Sequence, residues 1–489
     1  MAVGERTVPK LGLFIGGEER EARRGRTFAS IDPATEEVCG LAPDAGVEDV
    51  GDAVAAARRA FDEGPWPGMS PRQRSEALLR LRDAMVAHRD ELHQISLEEC
   101  GMTRAGRLAN VDGAIGQASW FGEHCARPDV EPLPPIVSRD GGVVGSMIVR
   151  EPVGVVAAIT PFNMPLIVSC GKVFPALGMG CTVVLKPSPL TPLNGLMLGR
   201  LAQEAGLPDG VLNVVTGEDP ALGEALVADP QVDKVSFTGS SAVGKRILAA
   251  CAPQVKRCLL ELGGKSPSLV LEDCDIELTV RGALFPYLTH AGQACVAMTR
   301  VVVPDSIHDG FVDKLTAAVQ ELSVGDPRDP STVVPPVISA RQRDRVEDYI
   351  RSGVAEGARL AAGGSRPAHL PRGYYVEPTL FVDSTNQMRI NREEIFGPVA
   401  AVIRYSGDVD EGVRLANDTT YGLNATVWTS NRARGMEVAR RLRAGQAGIN
   451  GYTAGPWSPI GGMRESGIGR ERGVLGMLEY TEVKHVHWR

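Results

Sequence analysis

The sequence predicts an α/β protein with a parallel sheet and more than one domain, and three observations carry that prediction. From about residue 153 onward, short β-branched runs alternate with longer amphipathic segments. The runs return at roughly 25- to 30-residue intervals with helical patterns between them, the spacing of βαβ units in a parallel sheet. At 489 residues the chain also exceeds what one hydrophobic core ordinarily organises, so two or three domains are expected.

Taken in order, residues 47–62 and 71–88 read as amphipathic helices that pack against the first α/β region. Residues 142–150 and 481–488 are alternating runs, each read as an edge strand. Two such strands pair across a subunit boundary or within the chain, and the pattern favours neither. VGVVAAI (153–159), TVVLKP (182–187), VLNVVTG (211–217) and KVSFTG (234–239) are strands, with helices through residue 177, over 191–204 and in a short segment before 234. A second α/β region follows Glu261, with strands at about 299–304, 399–404 and 425–429. Parallel sheets bind ligands at the carboxyl ends of their strands, so the loops after these strands are where function is sought.

Composition narrows the classes. Hydrophobic residues make up 43% and charged residues 23% of the chain, a globular balance. The net charge of −8 disfavours nucleic acid and anionic membrane as partners. MAVGERTVPK contains no apolar signal core, and the longest apolar stretch is broken by Pro161, Asn163, Pro165, Lys172 and Pro175, so neither secretion nor membrane insertion is expected. None of the nine cysteines is at CxxC spacing, which predicts reduced thiols in a cytoplasmic protein and no metal site.

Four segments carry residue types suited to chemistry, each with a plainer alternative. The turn FTGSSAVGK (237–245) follows a strand and opens a helix, the geometry that holds a phosphate on free N–H groups. It nearly matches a magnesium-nucleotide loop, but Arg246 stands where that loop needs a hydroxyl, and no GxGxxG follows a strand. A simple strand–helix turn explains it equally well. Cys295 in GQAC has small neighbours that leave a thiol approachable, although most cysteines only pack. Glu261 in LELGGK is a carboxylate in an apolar run, either a base of raised proton affinity or a structural ion pair. Asn163 in TPFNMP either donates to an oxyanion or caps the next helix.

TPFNMP, LKPSP, FTGSSAVG, LELGGKSP, GQAC, EEIFGP and PIGGMRESGIGRE occur in that order. This ordered set resembles the aldehyde dehydrogenase superfamily over nearly the whole chain. The resemblance implies three parts: a Rossmann-like cofactor domain (1–128 and 151–260), an α/β catalytic domain (261–465) and a small β oligomerisation arm (129–150 and 466–489). It implies Cys295 as nucleophile, Glu261 as general base, and Asn163 with the Cys295 backbone N–H as oxyanion hole. Lys172 and Glu471 match supporting polar positions. NAD is the implied cofactor, held by Thr160, Pro161 and Phe162, by Lys186 and Ser188 near the adenosine ribose, and by Gly239, Ser240, Val243 and Gly244 at the pyrophosphate. Leu262 lies beside the nicotinamide in this reading, and Glu394 and Phe396 hold its ribose.

Some positions depart from the family pattern. Pro189 replaces the glutamate usual in NAD-preferring members and leaves NADP open, while His290, Ile460 and Arg464 replace an asparagine, an aromatic and a lysine. The substrate tunnel implied by the resemblance is formed by Met164, Gly171, Ala294, Val296, Trp457 and Ile460, an apolar set that predicts a hydrophobic aldehyde. The glutamate base implies water as acyl acceptor, and the arm implies a homodimer or homotetramer. A thiol hydrolase without nicotinamide and a nucleotide-binding scaffold without catalysis are the competing classes; a histidine base is expected for the first, and a replaced Cys295 for the second.

Overall fold

The computed structural model describes residues 9–489. Residues 1–8, and with them most of the stretch read for a secretory signal, lie outside the described residues. Three sheets and a small hairpin organise the chain.

The first sheet has eight strands. Its parallel centre runs in the spatial order Arg257–Glu261, Lys234–Thr238, Val155–Ile159, Thr182–Lys186, Leu212–Val214. The chain therefore builds outward in one direction from Val155–Ile159, then crosses back and builds the other way. The crevice between Val155–Ile159 and Lys234–Thr238 is the topological switch point, where such sheets leave room for a ligand. Both faces of the sheet are covered: Val155, Ala157, Val184 and Val235 enter one core, and Val156, Ala158, Val183 and Leu185 the other. Leu13–Ile15, Glu18–Arg20 and Gly467–Ile468 complete its edges, antiparallel.

The second sheet has seven strands, all parallel except the outermost, Arg359–Ala362. It contains the anticipated strands as Arg300–Pro304, Val399–Tyr405 and Asn424–Trp428. The helices read from periodicity form at Val47–Asp62 and Pro71–Ala87, the latter started by Ser70, whose hydroxyl accepts from the Gln73 N–H, with Pro71 in the first turn.

The arm differs from expectation in one respect. Residues 142–150 were expected to form an edge strand, but Val143–Pro152 is the central strand of a three-stranded antiparallel sheet. Thr481–Trp488 pairs along one side within the same chain, and Val130–Val137 along the other. The reason is the sequence VEPLPPIV: its three prolines disguise a strand, yet an edge strand tolerates proline because its outer N–H groups need no partner. The short N-terminal strands Leu13–Ile15, Glu18–Arg20, Thr27–Ile31 and Val38–Pro43 were not anticipated either.

Candidate active site

Three loops leave the carboxyl ends of adjacent strands and converge. The strand Val155–Ile159 runs into Thr160-Pro161-Phe162-Asn163, and helix Pro165–Gly178 follows with proline in its first turn. Lys234–Thr238 runs into Gly239 and Ser240, and Ser240 caps helix Ser241–Cys251 by accepting from the Val243 N–H at 3.4 Å. Arg257–Glu261 runs into Leu262-Gly263-Gly264. Gly264 is required by close approach, because a Cβ there would lie 2.7 Å from the Cys295 carbonyl oxygen. That contact brings the segment after Glu261 against the loop that carries Cys295.

The second sheet supplies the facing wall. A cavity of about 450 Å³ is lined by Pro161, Phe162, Asn163, Gly239, Ser240, Leu262, Cys295, Glu394 and Phe396 from the expected set, together with Thr238, Gly263, Arg341, Gln342 and Arg345. The Phe162 and Phe396 rings meet edge to face across it, 5.7 Å between centroids. Glu394 accepts from the Gly264 N–H at 3.1 Å, and burial pushes its carboxyl up to about 7. The Thr238 hydroxyl is buried at the cavity with no hydrogen-bond partner. Val243 lies exposed in the first turn of its helix, Gly244 sits under the Leu262 side chain, and the Thr160 hydroxyl meets Ser169 at 3.2 Å. Lys186 ends the neighbouring strand with its ammonium proton affinity lowered by burial, and the Ser188 hydroxyl accepts from the Leu190 N–H.

Around the thiol the polar groups are closely coupled. The Asn163 amide donates to the Gln293 carbonyl at 2.7 Å, and Gln293 in turn accepts from the Ile338 N–H at 2.9 Å. Burial pushes the Cys295 thiol up to about 12, with Glu394 and Glu261 adding to the rise and the Val296 N–H opposing it. Glu261 is buried with one carboxyl oxygen unpaired. Burial, then Glu471, raises its proton affinity well above the ordinary carboxylate range, while Lys172, Arg470 and Arg472 pull it down. Lys172 is fully enclosed, donating to the Ser236 hydroxyl at 3.2 Å and to Glu471.

The six positions expected around the aldehyde are less uniform. Met164 precedes helix Pro165–Gly178, Ala294 and Val296 flank the thiol, and Ile460 pairs backbone to backbone with Glu471. Trp457 is 66% exposed and lies at the surface. Gly171 is buried, and a Cβ on it would come 3.2 Å from the Gln117 side-chain oxygen and 4.0 Å from Glu471. Gln117 is itself buried with neither amide atom hydrogen-bonded. Sequence reasoning missed it, as it missed Tyr452, whose phenol burial pushes up to about 12 and whose ring meets Phe285 edge-on. Neither residue carries a motif.

Arg341, Gln342 and Arg345 were also missed. They lie on helix Ala340–Ala355, far along the chain from the loops they face, and only the packing of the two sheets brings them there. Among the described residues no cluster of metal-ligating side chains occurs, and no helix is long and apolar enough to cross a membrane.

Comparison with known proteins fits this geometry. Residues 20–486 match the model of the aldehyde dehydrogenase family. A betaine aldehyde dehydrogenase of Bacillus subtilis (strain 168) is 38% identical, covering 97% of this chain and 96% of its own. A geranial dehydrogenase of Castellaniella defragrans is 41% identical, covering 98% and 99%. The crystal structure of a betaine aldehyde dehydrogenase from Staphylococcus aureus in complex with NAD+ superposes with a TM-score of 0.94 at 36% identity, covering 97% of this chain and 94% of that one. The chain belongs to the aldehyde dehydrogenase family and is an oxidoreductase of that family.

Proposed function

We propose that this enzyme oxidises a hydrophobic aldehyde to its carboxylic acid with NAD, through a thiohemiacetal and then a thioester on Cys295 that is hydrolysed with Glu261 as general base. The observation that carries the reading is that Cys295 and Asn163 line the same cavity as Gly239, Ser240, Glu394 and Phe396. The cavity fits one half of a dinucleotide. It opens beside a helix N-terminus, holds an unpartnered Thr238 hydroxyl, and is large enough for a nucleotide half. A bound nicotinamide dinucleotide supplies the hydride acceptor.

The remaining work falls to the chain's own residues. With the thiol held high, a spontaneous thiolate is scarce at neutral pH, so the Cys295 proton needs an acceptor. Glu261 has the raised proton affinity to take it. As Sγ bonds to the carbonyl carbon, the oxygen gains the electron pair. An amide nitrogen carries two hydrogens; one on Asn163 is held by Gln293, which leaves the other, with the Cys295 backbone N–H, for the oxyanion. After hydride loss the substrate is a thioester. Glu261 passes the thiol's proton to solvent and then draws one from water, the hydroxyl adds to the carbonyl, the C–S bond breaks, and Glu261 returns that second proton to the sulfur. Lys172 and Glu471 set how strongly Glu261 holds that proton.

The apolar character of Met164, Ala294, Val296 and Ile460 supports the hydrophobic substrate. NADP is the second cofactor reading, favoured by a buried Lys186 that has no carboxylate partner among the described residues and by Pro189, which offers none. The same reading divides the chain into cofactor, catalytic and arm regions at the boundaries given above. It makes the three-stranded sheet, with exposed Val137, Val143 and Val483, the seat of a homodimer or homotetramer. Nine free cysteines support a cytoplasmic setting.

The test is reduced-nicotinamide absorbance with NAD or NADP against hexanal, benzaldehyde and glyceraldehyde phosphate, using wild type and Cys295→Ala. Turnover of hexanal or benzaldehyde that vanishes in the variant supports the reading. A strong preference for the phosphorylated aldehyde overturns the substrate class, and unchanged turnover in Cys295→Ala overturns the mechanism.

A further inference from the structure

We propose that Arg341 holds the diphosphate of the dinucleotide from the cavity wall opposite the Ser240 turn. The inference rests on the dinucleotide reading of this cavity and names a binding residue that the motifs do not contain.

The cavity has two walls. Thr238, Gly239 and Ser240 form one; helix Ala340–Ala355 and the segment of Glu394 and Phe396 form the other. Three side chains of that helix reach the cavity, and two of them are committed. Gln342 donates to the Phe396 carbonyl at 2.7 Å and the Ile395 carbonyl at 3.2 Å. Arg345 donates to the Glu394 carbonyl at 2.8 Å and to the Tyr349 hydroxyl at 3.1 Å, with its guanidinium over the Tyr349 ring. These two hold the wall together.

Arg341 is different. It is exposed and lines the cavity, yet it has no hydrogen bond, ion pair or ring contact among the described residues. Its neighbours on the same helix are engaged: Arg343 with the Gly373 carbonyl and Asp344, Arg351 with Asp348. Arg341 also sits in the first turn of the helix, where the dipole disfavours a cation, and that turn contains no acidic residue to compensate. The cavity's own carboxylate, Glu394, is occupied by the Gly264 N–H and pushed up to about 7, so it competes poorly for a guanidinium.

A positively charged side chain beside a positive helix end, facing an open cavity, is relieved by an anion. A diphosphate fits best, because its paired oxygens match the planar guanidinium fork and the Ser240 helix N-terminus attracts the same charge from across the cavity.

The experiment is titration of wild type, Arg341→Ala and Arg341→Lys with NAD, ADP-ribose and AMP, followed by intrinsic fluorescence or calorimetry, without aldehyde. Because Arg341 is exposed, both variants should keep the wild-type melting temperature. In Arg341→Ala the dissociation constants for NAD and ADP-ribose are expected to rise about tenfold, the scale of one lost charge-assisted contact. The AMP constant should stay unchanged, since AMP lacks the second phosphate, and lysine should restore part of the loss. NAD affinity equal to wild type in Arg341→Ala overturns the proposal. So does an equal loss for AMP, which would mark a general charge effect. Wild type that binds none of the three overturns the dinucleotide reading itself, a result distinct from either.

Discussion

The side-chain amide of Asn163 donates to the backbone carbonyl of Gln293 across 2.7 Å, so the loop that ends one strand of the first sheet is tied to the loop carrying Cys295, which leads into the second sheet. The bond uses one amide hydrogen and fixes the direction of the other. In the proposed mechanism Asn163 therefore has two separable duties, and substitutions should divide them. Asn163→Ala removes both and is expected to lower kcat by about 10²–10³, the usual loss for one oxyanion donor, or roughly 3–4 kcal/mol. Asn163→Asp keeps the size but places a carboxylate beside a carbonyl oxygen and a developing negative charge, and should lose at least as much. Stopped-flow measurement of the first turnover checks this. A loss confined to KM would show that Asn163 binds substrate and does not stabilise the oxyanion.

The buried pair of Lys172 and Glu471 acts on Glu261 with opposite signs, and this gives a paired prediction. Glu471 raises the Glu261 proton affinity and Lys172 lowers it. As the proposed base Glu261 works only when ionised, so hydrolysis should increase with pH through its pKa. Removing the repulsion in Glu471→Gln should move that limb to lower pH. Removing the attraction in Lys172→Met should move it to higher pH. The second variant also leaves Glu471 enclosed without its partner, a change that commonly costs about 3–5 kcal/mol of stability. The double variant should recover part of that loss. Profiles of thioester hydrolysis against pH, with melting curves, read both effects; limbs moving in the same direction would remove the pair from any role in tuning the base.

How far the sequence revealed all this follows from where the information sits. Cys295, Glu261 and Asn163 each lie in a short segment next to a strand end, so a linear pattern marks them. The crossover order of the parallel strands then explains why the Asn163 and Glu261 ends meet, and the packing of the second sheet brings the Cys295 loop to them. Arg341, Gln342 and Arg345 occupy an ordinary amphipathic helix, and nothing local distinguishes them from a solvated face. Val130–Val137 was hidden by prolines that an edge strand accepts. Gln117 was hidden by Gly171: the absence of a side chain at one residue decides what the other touches, and such a relation exists only in three dimensions.

Gln117 supplies the last prediction. Its carboxamide is buried on helix Gly113–His124 with neither polar atom hydrogen-bonded, and its oxygen lies 3.2 Å from where a Cβ at residue 171 would stand. An unsatisfied buried amide costs about 1–3 kcal/mol, and replacing it with an apolar group of similar volume removes that cost. Gln117→Leu is therefore expected to raise the melting temperature of the enzyme. The position also adjoins Gly171 in the region assigned to the aldehyde, so the variant should favour long-chain over short polar aldehydes in kcat/KM. Differential scanning calorimetry and a substrate series measure the two effects independently. A lower melting temperature would mean that the carboxamide is satisfied by an enclosed water, and the wall beside Gly171 would then be polar, contrary to the hydrophobic assignment.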